Sequence, residues 1–152
     1  MEKITSPSEE YKQELFEAMM WTQAVECLLR NRIIEAKTLN LLNKKNTEIH
    51  SKTLGQLITI LKQSNLKLKY KKINTLEIFN LAEELKKINK DRIKLAHMSF
   101  NRYFLNKLTP EPTSEIKDEI QDYKSITIAA GVIFKYLLNE LDHEIKSYSN
   151  NI

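Results

Sequence analysis

Leu15-Phe16-Glu17-Ala18-Met19-Met20-Trp21-Thr22-Gln23-Ala24-Val25-Glu26-Cys27-Leu28-Leu29 decides the fold class of this chain. At about 100° per residue, Leu15, Phe16, Met19, Met20, Trp21, Ala24, Val25, Leu28 and Leu29 wrap most of the way round a helix. A helix apolar on nearly all sides is either central in a bundle or shared with a second subunit, and both readings stand at this point. Upstream, Ser6-Pro7-Ser8-Glu9 places a capping serine before a proline at the first helical position, with Glu at the third. No breaker follows until the polar stretch Asn43 to Ser51, so the first helix is expected to exceed about 30 residues.

The rest of the composition agrees. Two glycines and three prolines in 152 residues leave too little turn chemistry for a sheet protein. We expect an all-α fold: one domain over residues 1–152, an up-down bundle of four to five helices with long first and last helices. Hydrophobic residues are 41% and charged residues 29%, which points to a globular rather than a disordered chain. The net charge of +4 fits nucleic acid as a partner without requiring it. Cys27, the lone cysteine, rules out an intrachain disulfide; it suits a reducing cytoplasm and reads as a packing residue. The polar start Met1-Glu2-Lys3 is not that of a signal peptide. The run Ile126 to Phe134 stops at Lys135, well short of the ~20 residues a membrane-spanning helix needs, so no membrane is expected.

A second helix is marked by the capping box Thr53-Leu54-Gly55-Gln56 and the stripe Leu54, Leu57, Ile58 and Leu61. Lys67, Lys69, Lys71 and Lys72, set around Leu68 and Tyr70, read as a solvated connector or as a phosphate contact. The third helix is expected from near Asn74, with the stripe Ile78, Leu81, Ala82, Leu85 and Ile88 leading to Arg92 on its inward side. Met98, Phe100, Tyr103, Phe104, Leu105 and Leu108 predict one more short helix, and Thr109 to Ser114 a break. The last helix keeps its period from Ile116 through Ile120, Tyr123, Thr127, Ala130, Phe134, Leu137 and Leu141 to Ile145. Ala129-Ala130-Gly131 would let another backbone come close to it.

Chemistry concentrates in Asp91-Arg92-Ile93-Lys94-Leu95-Ala96-His97. Arg92 is a permanent cation whose planar fork suits phosphate, and His97 can move a proton near neutral pH. At five positions apart on one straight helix they project about 140° from each other. Both could address one phosphate if the helix breaks, if the long side chains curl round, or if a second subunit supplies the other half, and the last points to a site completed at a two-fold axis. Alternatively, Arg92 pairs with a carboxylate inside the bundle and His97 packs half-buried. Glu26 falls in the apolar sector of the first helix and is the natural partner for Arg92, either as a purely structural pair or as a support for the site. Other chemistries find no footing. His50, His97, His143 and Cys27 lack metal-ligand spacing, no Gly-rich phosphate loop exists, and the aromatics are too scattered for a base-stacking platform.

Thr53-Leu54-Gly55-Gln56-Leu57-Ile58 followed by Arg92-x-x-Leu95-Ala96-His97, on helices of this kind, resembles the HEPN superfamily. These are small helical domains, many from bacterial toxin–antitoxin and phage-defence systems, with an Arg-x(4–6)-His signature. The resemblance implies a dimeric, metal-independent endoribonuclease that needs no cofactor. Arg92 would hold the scissile phosphate of RNA, and His97 would act as general acid or base while the 2′-hydroxyl attacks. It also implies a homodimer and, as a further partner, an antitoxin or another defence-system protein. The alternative within the same fold is a non-catalytic module that binds RNA, nucleotide or protein. One position departs from the pattern: the residue after the arginine, usually polar in active members, is Ile93 here. Lys94, Ser99 and Asn101 are the nearby polar residues that could stand in for it.

Overall fold

The computed structural model describes residues 7–42, 48–72, 74–100 and 114–149, with side chains at all of these except 7, 8 and 98–100. The chain runs α1 (Pro7–Thr38), α2 (Leu54–Lys62), β1 (Lys69–Lys71), β2 (Ile78–Asn80), α3 (Leu81–Phe100) and α4 (Ser114–Lys135). A π-helical turn (Tyr136–Leu141) then leads without a break into α5 (Asp142–Ser149). The long first and last helices are therefore present. The expected short helix after Phe100 and the break at Thr109, like the capping role of Ser6, lie outside the described residues.

α1 is 32 residues long and opens on Pro7 as expected. It ends where Asn40 turns left-handed at φ 60° and the Leu41 N–H reaches back to the Ala36 carbonyl at 2.9 Å, a closure that satisfies an orphan acceptor. Tyr11, Leu15, Ala18, Thr22, Val25, Leu29, Ile33 and Ala36, spaced by three and four, form its buried stripe. The opposite side is a different matter: Phe16 is 62% exposed, Met20 52% and Met19 43%. The helix is central on one face only, and among the described residues its outer apolar face at Phe16, Met19 and Met20 stays largely exposed.

Pairwise contacts give the directions. The Tyr11 and Tyr123 hydroxyls share a hydrogen bond of 2.7 Å, Trp21 meets Phe134 edge-on at 5.7 Å, and Arg32 reaches the Leu137 carbonyl at 2.8 Å. Residue numbers rise together along both helices, so α1 and α4 are parallel. α3 runs the opposite way, with Arg92 beside Glu26 and Leu95 clustered with Tyr11, Leu15 and Ala18. Burial, with help from the Tyr123 bond, pushes the Tyr11 phenol far above the usual tyrosine range.

α2 carries the expected capping box: the Thr53 N–H donates to Gln56 Oε1 at 2.9 Å, and the Gln56 N–H donates to Thr53 Oγ1 at 3.4 Å. Its four stripe leucines and isoleucine, Leu54, Leu57, Ile58 and Leu61, are all buried. The next segment corrects the sequence reading. The lysine run is neither a free connector nor the lead-in to a helix at Asn74; it forms β1, which pairs antiparallel with β2. Asn74 adopts φ 61°, and the Lys72 N–H bonds the Glu77 carbonyl at 3.0 Å, which folds the chain back before any helix starts. Ile78, assigned above to the helical stripe, sits on the strand at 65% exposure. α3 begins only after Asn80, whose Oδ1 accepts from the Glu83 N–H at 3.2 Å.

The π turn explains how this hairpin is held. Phe79 stacks on Tyr136 with ring centres 3.9 Å apart, and Glu144 accepts both from the Tyr70 hydroxyl at 2.6 Å and from the Lys67 N–H at 2.7 Å. A π turn offsets the carbonyl ladder. Arg32 uses that offset, donating to the carbonyls of Leu137 at 2.8 Å and Leu138 at 3.4 Å while pairing with Glu35 at 2.7 Å and Asp142 at 3.5 Å.

The apolar interior falls into two clusters. One, around Val25, Leu29, Leu57, Leu85 and Leu137, fills the half of the molecule nearer the hairpin. The other gathers Tyr11, Leu15, Ala18, Leu95, Ile120 and Tyr123. Thr22 lies on α1 between them, at 1% exposure.

Among the described residues no backbone comes close to Gly131, and a Cβ placed there meets no atom within 4 Å. Gly131→Ala should therefore raise stability by about 1 kcal/mol through helix propensity alone. A lower midpoint in urea unfolding would show that the position is covered in solution.

Candidate polar site between α1 and α3

The seam between the two apolar clusters is where the polar residues collect. Thr22 opens it on α1, its hydroxyl satisfied by the Met19 carbonyl at 3.0 Å. One turn on, Glu26 stands between two arginines: Oε2 lies 3.7 Å from Arg30 Nη2, and Oε1 lies 3.5 Å from Arg92 Nη1. Arg30 also donates to the Lys52 carbonyl at 2.8 Å, which ties the chain ahead of α2 to the same spot. Two guanidinium groups share a single carboxylate, so the cluster carries an excess positive charge.

It is also under-bonded. Carboxylate–guanidinium pairs that satisfy each other close to about 2.7–2.9 Å, often through two parallel bonds. Both contacts of Glu26 are longer than that. The Nε atoms of Arg30 and Arg92 are buried and make no hydrogen bond among the described residues. An unmet buried donor is costly, and the exposed part of the Arg92 guanidinium is where an oxyanion could bind.

Arg92 keeps 38% of its side chain exposed, whereas Glu26 keeps 16%. The guanidinium faces a cleft of about 250 Å³ between Met19, Thr22, Gln23 and Glu26 on α1 and Arg92, Leu95 and Ala96 on α3. Beside it, burial raises the Asp91 carboxyl above the usual carboxylate range, against the opposing pull of Lys94.

The structure joins Arg92 to Glu26, as their positions on the two helical faces suggested, and does not line the same cleft with His97. His97 sits exposed in the last turn of α3, about 140° round the helix from Arg92. Lys94 turns to α4 and pairs with Asp122 at 3.5 Å. Ser99 lies within α3, but its side chain is outside the described ones, and Asn101 is outside the described residues altogether. Cys27 is exposed on α1 rather than packed. Among the described residues no group of three His, Cys, Asp or Glu side chains could hold a metal ion, and no helix is long and apolar enough to cross a membrane.

Arg30 is the site residue that the sequence reading overlooked. Its signal was present, four positions after Glu26 on the same helical face, where an acidic residue followed by a basic one forms a favourable pair.

No protein-family model, curated protein or solved structure matches this chain.

Glu26→Gln should leave two guanidiniums facing each other. We expect a loss of about 2 kcal/mol, less than for a fully buried pair because Arg92 still reaches water. Inorganic phosphate should raise the Tm of Glu26→Gln more than that of the parent protein. Equal shifts in both would show that the cluster takes no anion.

Proposed function

We propose that this protein is a metal-independent endoribonuclease of the HEPN type that acts as a homodimer. The observation that carries this reading is the half-exposed Arg92, held at a cleft mouth, among the described residues, by one long ion pair and with its buried Nε unbonded. A phosphate oxygen would complete that hydrogen-bonding set. In the proposed reaction the RNA 2′-hydroxyl attacks the adjacent phosphorus, and its proton passes to an imidazole. The bond to the 5′-oxygen breaks, and that oxygen takes up a proton. The products are a 2′,3′-cyclic phosphate and a free 5′-hydroxyl. Arg92 offsets the charge that builds on the phosphorane oxygens, and His97 moves the proton. Chemistry of this kind needs no cofactor.

Because the two residues stand about 140° apart on one helix, the proposed reaction takes Arg92 from one protomer and His97 from its mate. Two features support pairing through α1. Phe16, Met19 and Met20 form an exposed apolar stripe, and Met19 is at once part of that stripe and a wall of the Arg92 cleft. A dimer closed over the stripe would bring two clefts together. An antitoxin or other defence-system partner would silence the enzyme by covering the same crevice.

A second reading has its own observation. Ile93, directly after Arg92, is apolar and 49% exposed, so it offers no hydrogen bond to orient the site. This favours a module of the same fold that binds RNA without cutting it.

Labelled RNA incubated with the protein in EDTA tests the first reading. Cleavage should fall by at least about 100-fold in both Arg92→Ala and His97→Ala, with folding unchanged. Cleavage that persists in His97→Ala would overturn the assignment, and unbroken but bound RNA would favour the second reading. Separately, Phe16→Asp together with Met20→Asp should convert a dimer to a monomer in sedimentation and abolish cleavage. A monomeric parent protein would overturn the composite site.

A further inference from the structure

A second cleft opens on another side of α3. It is larger, about 540 Å³, and runs between α2 and α3, with Lys62 and Thr59 on one bank and Lys86, Asn89 and Lys90 on the other. Three ammonium groups surround it, and one carboxylate, Glu83, answers them through Lys86 at 3.4 Å. Among the described residues Lys62 and Lys90 make no ion pair. The neighbouring Lys86 ammonium, a like charge, lowers the Lys62 pKa. Like charges placed this close repel unless an anion lies between them. Asn89, whose side chain lines the groove, has a buried Oδ1 that makes no hydrogen bond among the described residues.

The helical period connects this groove to the rest of α3. Lys86, Lys90, Ile93 and His97 fall within about 60° of one another around the axis, on a face that is exposed from end to end. Lys86 and His97 are separated by about 16 Å along the helix. Arg92 points elsewhere, into the seam with Glu26. His97 thus shares its face with the lysines and not with the arginine of its own chain.

We propose that the α2–α3 groove binds the phosphodiester backbone of single-stranded RNA through Lys62, Lys86 and Lys90, and that the strand follows this face of α3 to His97. The groove is a positioning surface: the lysines touch phosphates remote from the bond that breaks. Free phosphate and nucleotides share the same chemistry and would occupy the groove more weakly, since each offers fewer charges to the three lysines. The choice of RNA as occupant rests on the function proposed above. Binding by the groove does not depend on cleavage.

The test uses the full-length protein and a short fluorescein-labelled RNA carrying 2′-O-methyl groups, which cannot be cut by 2′-hydroxyl attack. The variant Lys62→Gln/Lys86→Gln/Lys90→Gln should bind at least about tenfold more weakly, and its log K against log salt slope should flatten by about 2, at roughly 0.7 per lost phosphate contact on a single strand. A control that removes the same charge from the hairpin and α4, Lys69→Gln/Lys71→Gln/Lys135→Gln, should lose little. Glu83→Gln, which frees Lys86, should bind more tightly. Unchanged affinity in the groove variant, an equal loss in the control, or a parent protein that binds only nucleotide would each overturn the proposal. Cleavage of unmodified RNA separates the two readings. A groove variant that still cuts with the parent KM would sink the groove and leave the nuclease. Groove-dependent binding in a protein that never cuts would keep the groove and sink the nuclease.

Discussion

The ion pairs of Glu26 with Arg30 and Arg92 are the constraint around which this molecule is arranged. A largely buried carboxylate beside a buried helical stripe is expensive to desolvate, and it persists only because cations from two directions meet it. Arg30 comes from the same helix and Arg92 from α3. Their meeting fixes α3 against α1 in one register, with Leu95 on one side of the seam and Ile88 on the other. The apolar core is split at this level. A chain selected for stability alone would have no reason to interrupt its core with a loosely satisfied, net positive cluster that opens to water, and such local conflicts are typical of functional sites.

The far end of the bundle obeys a different rule. There Arg32 is fully used, bonded to two carbonyls of the π turn and flanked by Glu35 and Asp142. The contrast between the two guanidiniums is informative. Arg32 keeps 11% exposure and tight contacts, as a structural cation should. Arg92 keeps more than three times that exposure and, among the described residues, a single long contact. The same residue type does two jobs, and its hydrogen-bond inventory distinguishes them.

Charge is distributed to match. The hairpin lysines stand at one end, the α2–α3 lysines flank a groove, and Arg92 lies round the helix from them. A polyanion following the exposed face of α3 would meet Lys86, Lys90 and then His97 in succession. This local grouping makes the modest overall charge of +4 a poor guide to that face.

Much of this was legible in the chain itself. The scarcity of glycine and proline set the helical class. Ser/Thr-x-x-Glu/Gln patterns marked where α1 and α2 begin, since capping depends only on residues three apart. The stripes of α2 and α4 stated which sides are buried, and Glu26 as the partner of Arg92 followed from its place in an apolar sector. What the sequence could not supply were contacts between residues distant along the chain. The hairpin escaped because strands of three residues have too short a period to register, and because Asn74 reads equally well as a helix cap or as a left-handed turn residue. The bare outer face of α1 was invisible because Phe16 and Met20 look the same whether a neighbour covers them or not. The separation of Arg92 from His97 was written in their spacing. That Arg92 faces a cleft beside Glu26, away from the face that carries Lys86, Lys90 and His97, was decided only by the way α1 packs on α3.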